Sequence, residues 1–352
     1  MHRFVKHVPL IVALVFVAAA AFASGMFAVS LETTEMPEAS MPWNERVAYW
    51  ENQINERGGL AAYEVFATAA EPLSYDQRHE WAHAFGSALF KIEGASGIVV
   101  CDARFSFGCY HQFLGDAIVA LGMERVPELS AACFESNVKS PLSCQHGIGH
   151  GVLAAIGYDV ESMRRALVIC RDLPGTDSIG GCYGGVFMEY NMQTTLASSG
   201  ALREYRGEPF DSCELLKREF MPACVYWQPQ WWMQVIFRGI TDEEAYRTMG
   251  DYCDRFRGDP SLTRACYEGV GNITAYESGF EPVRAKELCS AFSEQPAARL
   301  LCRTVTASHF REMIDIPTAV AMCEGLEGDV RSFCLAYAEN RPVQEMRLPY
   351  QL

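Results

Sequence analysis

Apolar and polar residues along the chain recur with the spacing of amphipathic helices. The stretches VPELSAACF (126–134), SMRRALVIC (162–170) and EEAYRTMGDYC (243–253) place apolar residues three and four positions apart, on one face of a helix. No stretch alternates apolar and polar residues over the length of a strand. The pattern therefore predicts an all-α protein.

The cysteines predict how these helices are connected. The chain has fourteen cysteines, which fall into pairs separated by 8 to 13 positions, and the second members recur every 32 to 42 residues. A period in that range is typical of stacked helical hairpins. We therefore predict an α-solenoid of about seven hairpins, each stapled by one disulfide that contributes about 3 kcal/mol. The predicted pairs are Cys101–Cys109, Cys133–Cys144, Cys170–Cys182, Cys213–Cys224, Cys253–Cys266, Cys289–Cys302 and Cys323–Cys334.

This layout is similar to that of the disulfide-stapled Sel1-like and tetratricopeptide-type repeats of exported bacterial proteins. The similarity concerns the arrangement of hairpins alone and implies no activity. The residue pattern itself predicts five segments. They are a leader (1–30), a linker (31–42), an N-terminal helical cap (43–104), the cysteine-paired hairpins (105–340) and a C-terminal tail (341–352).

The leader has the features of an export signal. Arg3 and Lys6 precede an apolar run over residues 8–29, and Ala21-Phe22-Ala23 is a small-x-small cleavage pattern. The run is also long enough to span a bilayer, so a cleaved signal peptide and a retained membrane anchor both remain open. Either one places the rest of the chain outside the cytoplasm, in the periplasm or the extracellular space, where disulfides persist.

The charge balance excludes one class of partner. The formal net charge is −15, with 44 acidic and 29 basic residues. A nucleic-acid-binding protein needs a basic face, so we expect no nucleic-acid partner. Contact with the membrane is expected only through the N-terminal segment, if it is not cleaved.

Histidines recur at equivalent positions of three consecutive repeats. His146 and His150 lie two and six positions after Cys144, and His111 lies two after Cys109. His79 and His83 have the same spacing in the preceding block. Residues four apart share one helical face, and equal positions in a solenoid share one wall. The pattern predicts a divalent transition-metal site, for Zn, Fe or Cu, in which His111 joins one of the two pairs.

Three carboxylates are candidates for supporting roles. His79-Glu80-Trp81-Ala82-His83 matches the His-Glu-x-x-His motif of zinc proteases, which makes Glu80 the candidate catalytic base. Asp116 and Glu189 both lie seven positions after a cysteine and are possible accessory groups, as a fourth ligand, a partner of a ligand or a base.

The glycines around the histidines allow two interpretations. Gly147, Gly149 and Gly151 surround His146 and His150, and Gly184-Gly185 opens the next repeat. They indicate a close approach to the backbone, either by a neighbouring helix or by a bound ligand.

The function hypothesis is an exported helical-repeat protein with a histidine-rich metal site on its inner wall, acting as a metal-dependent hydrolase or oxidoreductase. Two alternatives stay open for the histidines themselves: a structural polar cluster, or a groove that binds a ligand without metal. For the whole protein, the alternative is a non-catalytic scaffold whose concave face binds a protein or peptide.

Overall fold

A computed structural model describes residues 36–38, 40–135, 138–193, 202–341 and 348–351. Every regular element in these ranges is a helix, which confirms the all-α fold class. The predicted leader (1–30) lies outside the described residues. The α-helices are α1 (Trp43–Arg57), α2 (Gly59–Ala70), α3 (Tyr75–Glu93), α4 (Gly108–Leu121), α5 (Val126–Ala132), α6 (Pro141–Ile156), α7 (Val160–Arg171), α8 (Gly181–Met192), α9 (Asp211–Glu214), α10 (Met221–Val235), α11 (Asp242–Cys253), α12 (Pro260–Glu277), α13 (Pro282–Phe292), α14 (Pro296–Met313), α15 (Ile316–Ala321) and α16 (Gly328–Ala338).

Local sequence signals set where several helices begin. Ser74 forms a capping box with Gln77 at the start of α3. Asp159 accepts hydrogen bonds from the backbone at the start of α7, and Thr241 does the same for α11. Proline occupies one of the first two positions of the helices that contain Pro141, Pro260, Pro282 and Pro317.

All seven cysteine pairs predicted from the spacing are joined as disulfides. Their Cα atoms lie 5.5 to 5.7 Å apart, a normal separation for a disulfide. No cysteine of the chain is free. A set of seven disulfides is typical of proteins that mature in an oxidising compartment outside the cytoplasm.

The second helix of each stapled pair packs on the second helix of the next pair. Contacts run in sequence through α3, α4, α6, α8, α10, α12, α14 and α16. The first helices form a second layer in the C-terminal half, where α11 packs on α13 and α13 on α15. The five histidines of the predicted metal site lie on α3, α4 and α6, three successive members of the first series.

The series curves tightly enough for early and late helices to meet. The ring of Tyr75, at the start of α3, lies 5.4 Å from the ring of Tyr276 in α12 and 5.5 Å from that of Phe280. The 3₁₀ turn Arg104–Phe107, which precedes α4, also contacts α14. The helices therefore enclose an interior instead of forming an open row.

Glycine brings the histidine-bearing helices close together. A β-carbon at Gly185 of α8 would overlap the carbonyl oxygen of His146 in α6, and one at Gly149 would overlap that of Cys182. Gly147 has the same relation to the carbonyl oxygen of Tyr110 in α4, at 2.6 Å. At these positions the glycines face a neighbouring helix, which resolves the two interpretations of the sequence.

Within the described residues, no single helix is both long and apolar enough to cross a membrane. The pair Tyr75–Val99 and Arg104–Leu121 passes a test of length and hydropathy together, but it is bent by 118°.

Candidate metal centre

The first histidine pair lies on one face of α3. His79 Nε2 and His83 Nε2 are 3.1 Å apart. His83 is buried, and His79 is partly exposed. This is the geometry that the four-residue spacing predicts.

His79 is oriented by the turn that precedes α4. Its Nδ1 lies 2.7 Å from the carbonyl oxygen of Phe105. A carbonyl only accepts, so Nδ1 carries the proton and Nε2 of the neutral ring is a bare acceptor. Phe105, Ser106 and Phe107 all have positive φ, at 57°, 51° and 67°. Non-glycine residues avoid this region, and such backbone strain concentrates at functional sites.

His83 is oriented by a chain of side chains on α3 and α4. Asp116 accepts from Ser87 Oγ at 2.6 Å and from Gln112 Nε2 at 2.9 Å. Because a carboxylate accepts only, the amide nitrogen of Gln112 faces Asp116, and its oxygen faces His83 Nδ1 at 3.4 Å. His83 therefore also donates from Nδ1 and keeps a bare Nε2.

In these tautomers, the Nε2 atoms of His79 and His83 face each other as two acceptors. Two nitrogen ligands of one tetrahedral ion, with bonds of about 2.0–2.1 Å, stand about 3.3 Å apart. The separation of 3.1 Å between His79 Nε2 and His83 Nε2 is close to that value. Two facing acceptors repel each other, and a cation bound between them would remove that repulsion.

The second pair repeats this geometry on α6. His146 Nε2 and His150 Nε2 are also 3.1 Å apart, and both rings are buried. His150 Nδ1 lies 2.8 Å from Glu189 Oε2, and the Tyr158 hydroxyl donates to the other carboxylate oxygen at 2.8 Å. The backbone of Gly181 accepts a hydrogen bond from the His146 ring. The neutral His150 ring, donating from Nδ1, thus has Nε2 as an acceptor on the side of His146.

His111 lies between the two pairs and is 1% exposed. Among the described residues, neither of its ring nitrogens has a hydrogen-bond partner. Leaving a buried polar group unpaired costs about 1–3 kcal/mol, so this ring calls for an explanation. Its centroid is 4.3 Å from that of His150 and 5.4 Å from those of His79 and His83.

Burial keeps most of these rings neutral. Desolvation lowers the pKa of His79, His83, His111 and His146 below the ordinary value of histidine. At His79 the Phe105 carbonyl opposes this lowering. Neutral imidazole is the form that binds metal ions, so little proton has to be displaced on binding.

Two groups of three histidines can each hold a metal ion. One is His79, His83 and His111, and the other is His111, His146 and His150; in each, the ligand atoms lie within 4.8 Å of one another. The sequence predicted that His111 joins one pair only. In the structure, His111 is instead close enough to contribute a ligand atom together with either pair, because α3, α4 and α6 pack closely against one another.

The three candidate carboxylates occupy different surroundings. Glu80 bonds to Arg46 at 2.7 Å, and its side chain is 60% exposed. It follows His79 by one residue and therefore faces about 100° away around the helix. Its role as a base stays a prediction. Asp116 reaches His83 through Gln112, and Glu189 bonds directly to His150. Carboxylates placed in this way orient the rings of metal-binding histidines in other proteins.

Sequence reasoning missed three supporting groups. Gln112 orients His83, the Phe105 carbonyl orients His79, and Tyr158 supports Glu189. Gln112 follows His111 directly, and this adjacency was the only signal in the sequence. Nothing in the residue types identifies the Phe105 carbonyl as an acceptor.

A cavity of about 960 Å³ adjoins the second pair. His146 and Trp227 form part of its wall, and their rings lie 5.2 Å apart. Charged residues from α12 and α14 also line this cavity. They are Arg264, Glu268, Arg311 and Glu312. A volume of this size is typical of a small-molecule site.

Comparisons with protein-family models, with curated proteins and with solved structures found no match to this chain.

Proposed function

We propose that this protein is an extracytoplasmic metalloprotein whose metal centre is built from His79, His83, His111, His146 and His150. The observation that carries the proposal is the pair of Nε2–Nε2 separations, both 3.1 Å. In His79, His83 and His150, a hydrogen bond from Nδ1 to an acceptor leaves Nε2 of the neutral ring as an acceptor. His111 supports the proposal because its buried nitrogens have no other described partner.

The proposed activity is metal-dependent hydrolysis or oxidoreduction. Three histidine ligands with an open position form the pattern of catalytic zinc, which lowers the pKa of bound water. Iron or copper in the same ligands supports redox chemistry. The cavity beside His146 gives a small substrate a place to bind next to the histidines. The residues around it would hold and orient that substrate.

The metal content of the full chain tests the proposal. We expect purified protein to retain Zn, Fe or Cu after dialysis, measured by mass spectrometry of the metals. His83→Ala and His146→Ala should each lower the content, because each removes one ligand from a set of three. His309→Gln is the matched control, since His309 lies in the cavity wall outside both groups. Protein that holds no metal, before or after incubation with Zn(II) or Cu(II), contradicts the proposal.

A second candidate is a scaffold that binds a protein or peptide segment. The cavity favours it, because apolar Trp227 and paired charges line a volume large enough for several side chains. The scaffold hypothesis on its own predicts that the histidine nitrogens are scattered, whereas two pairs lie at 3.1 Å. Binding of peptides that is unchanged by His83→Ala and His146→Ala would support it.

A further inference from the structure

His111 differs from the other four histidines of the proposed centre in the hydrogen bonding of its ring nitrogens. Each of the others has a hydrogen bond to a group outside the cluster, and its Nε2 faces its partner on the same helix. His111 has no hydrogen-bond partner among the described residues for either nitrogen. It also belongs to both sets of potential ligands. With two unpartnered nitrogens, its ring has one ligand atom to offer to each set.

We propose that His111 bridges two metal ions, one held with His79 and His83 and the other with His146 and His150. This inference rests on the proposed function and specifies its stoichiometry. The nitrogens of an imidazole lie on opposite sides of its ring, so each can bind a different ion. A neutral ring carries one N–H proton. Binding at both nitrogens therefore releases that proton to solvent and leaves an imidazolate shared by two cations.

The geometry favours two ions over one. The His111 centroid is 5.2 Å from that of His146 and 4.3 Å from that of His150, and 5.4 Å from the centroids of His79 and His83. A single ion would use one pair together with His111. It would leave the other pair with its nitrogens 3.1 Å apart and no cation between them. Two ions satisfy all five rings and give each ion three histidine ligands.

The two ions would have different surroundings. Two bonds of about 2.0–2.1 Å at opposite ends of one ring place the ions roughly 6 Å apart. This exceeds the 3.5–4 Å typical of two-metal hydrolases, so a single oxygen atom would not bridge the ions. The ion of His146 and His150 lies beside the cavity. That ion would contact a substrate bound in the cavity. The other ion would influence it only through the His111 ring that they share.

Metal titration of the full chain measures the stoichiometry. We expect two Zn(II) or two Cu(II) ions per chain in the wild type. The double variants His79→Ala/His83→Ala and His146→Ala/His150→Ala should each bind one. With Cu(II) at both sites, exchange through the bridge should reduce the integrated electron paramagnetic resonance signal well below that of two isolated ions. His111→Gln should remove this coupling, and His309→Gln should leave it unchanged. Circular dichroism checks that each variant is folded.

The outcomes separate this inference from the proposed function. One ion per chain, or two ions with the full signal of isolated copper, contradicts the bridge and leaves a metal centre in place. Coupling that survives in His111→Gln also contradicts it. If His111→Gln does not fold, the wild type decides the point, because the bridge requires two bound ions with a reduced signal. A chain that binds no metal overturns both proposals.

Discussion

His150 Nδ1 lies 2.8 Å from Glu189 Oε2, and neither side chain has any exposure to solvent. A carboxylate is costly to bury unless its oxygens are satisfied, and here His150 and Tyr158 each contact one oxygen. The pair joins α6 to α8 and fixes which nitrogen of His150 is available to an ion. Support of this kind commonly sets the affinity of a histidine metal site.

Glu189→Gln should weaken metal binding about 10- to 100-fold, because the ring of His150 loses a charged acceptor that fixes its orientation. The measurement is competition with a chelator of known affinity. Glu243→Gln is the matched control, since Glu243 is exposed and bonds to Arg247 on its own helix, α11. Equal affinities for the two variants would show that Glu189 is not a partner of a metal ligand.

Removing the metal should destabilise the folded protein. An ion present at 100 times its dissociation constant stabilises the native state by about 2.7 kcal/mol if it does not bind the unfolded chain. We therefore expect a chelator to lower the thermal midpoint of the wild type. The shift should be much smaller in the double variant His83→Ala/His146→Ala. A wild-type midpoint that is independent of chelator and of added metal would speak against a bound ion.

Gly185→Ala should destabilise the protein by about 1–3 kcal/mol, because overpacking forces the backbones of neighbouring helices apart. The added methyl group would meet the carbonyl of His146 itself, so metal content should fall as well. Gly258→Ala is the control, since a β-carbon there meets no atom within 4 Å. Denaturant unfolding measures the difference, and equal stability of the two variants would rule out the close contact.

Removing the disulfide Cys289–Cys302 and removing Cys101–Cys109 should have different effects on metal content. Replacing both cysteines of Cys289–Cys302, which are 13 residues apart, should cost about 3 kcal/mol and leave metal content unchanged. Replacing both cysteines of Cys101–Cys109 should lower stability and metal content together, because that loop contains Phe105, which orients His79. Equal metal content in both variants would show that the loop does not support the site. Non-reducing peptide mapping checks the pairing itself.

The sequence predicted the disulfides and the histidine pairs because both depend on local spacing. Cys170 and Cys182 are only 12 residues apart, so a single helical hairpin brings them together. The spacing of His146 and His150 places both on one face of any helix. The membership of His111 in both groups of potential ligands was not predictable, because it depends on how closely α3, α4 and α6 pack. That distance is set by glycine contacts between helices that are far apart in sequence.

The role of the Phe105 carbonyl in orienting His79 was not predictable either, for a different reason. Its turn contains three successive non-glycine residues with positive φ, which residue type alone argues against. Glu80 shows the converse case, since a short motif suggested a base, while the folded helix pairs its carboxylate with Arg46. A motif states which residues share a helix, and the packing of that helix decides which of them face inward.

The contact between Tyr75 and Tyr276 has a consequence for how such a chain can evolve. Repeat arrays usually gain or lose units freely, since each unit touches only its neighbours. Here α3 meets α12, so inserting or deleting one hairpin between them would separate the two tyrosines. The turn Arg104–Phe107 also contacts α14, so related chains should keep a fixed number of cysteine pairs up to α14 and vary in copy number only beyond it.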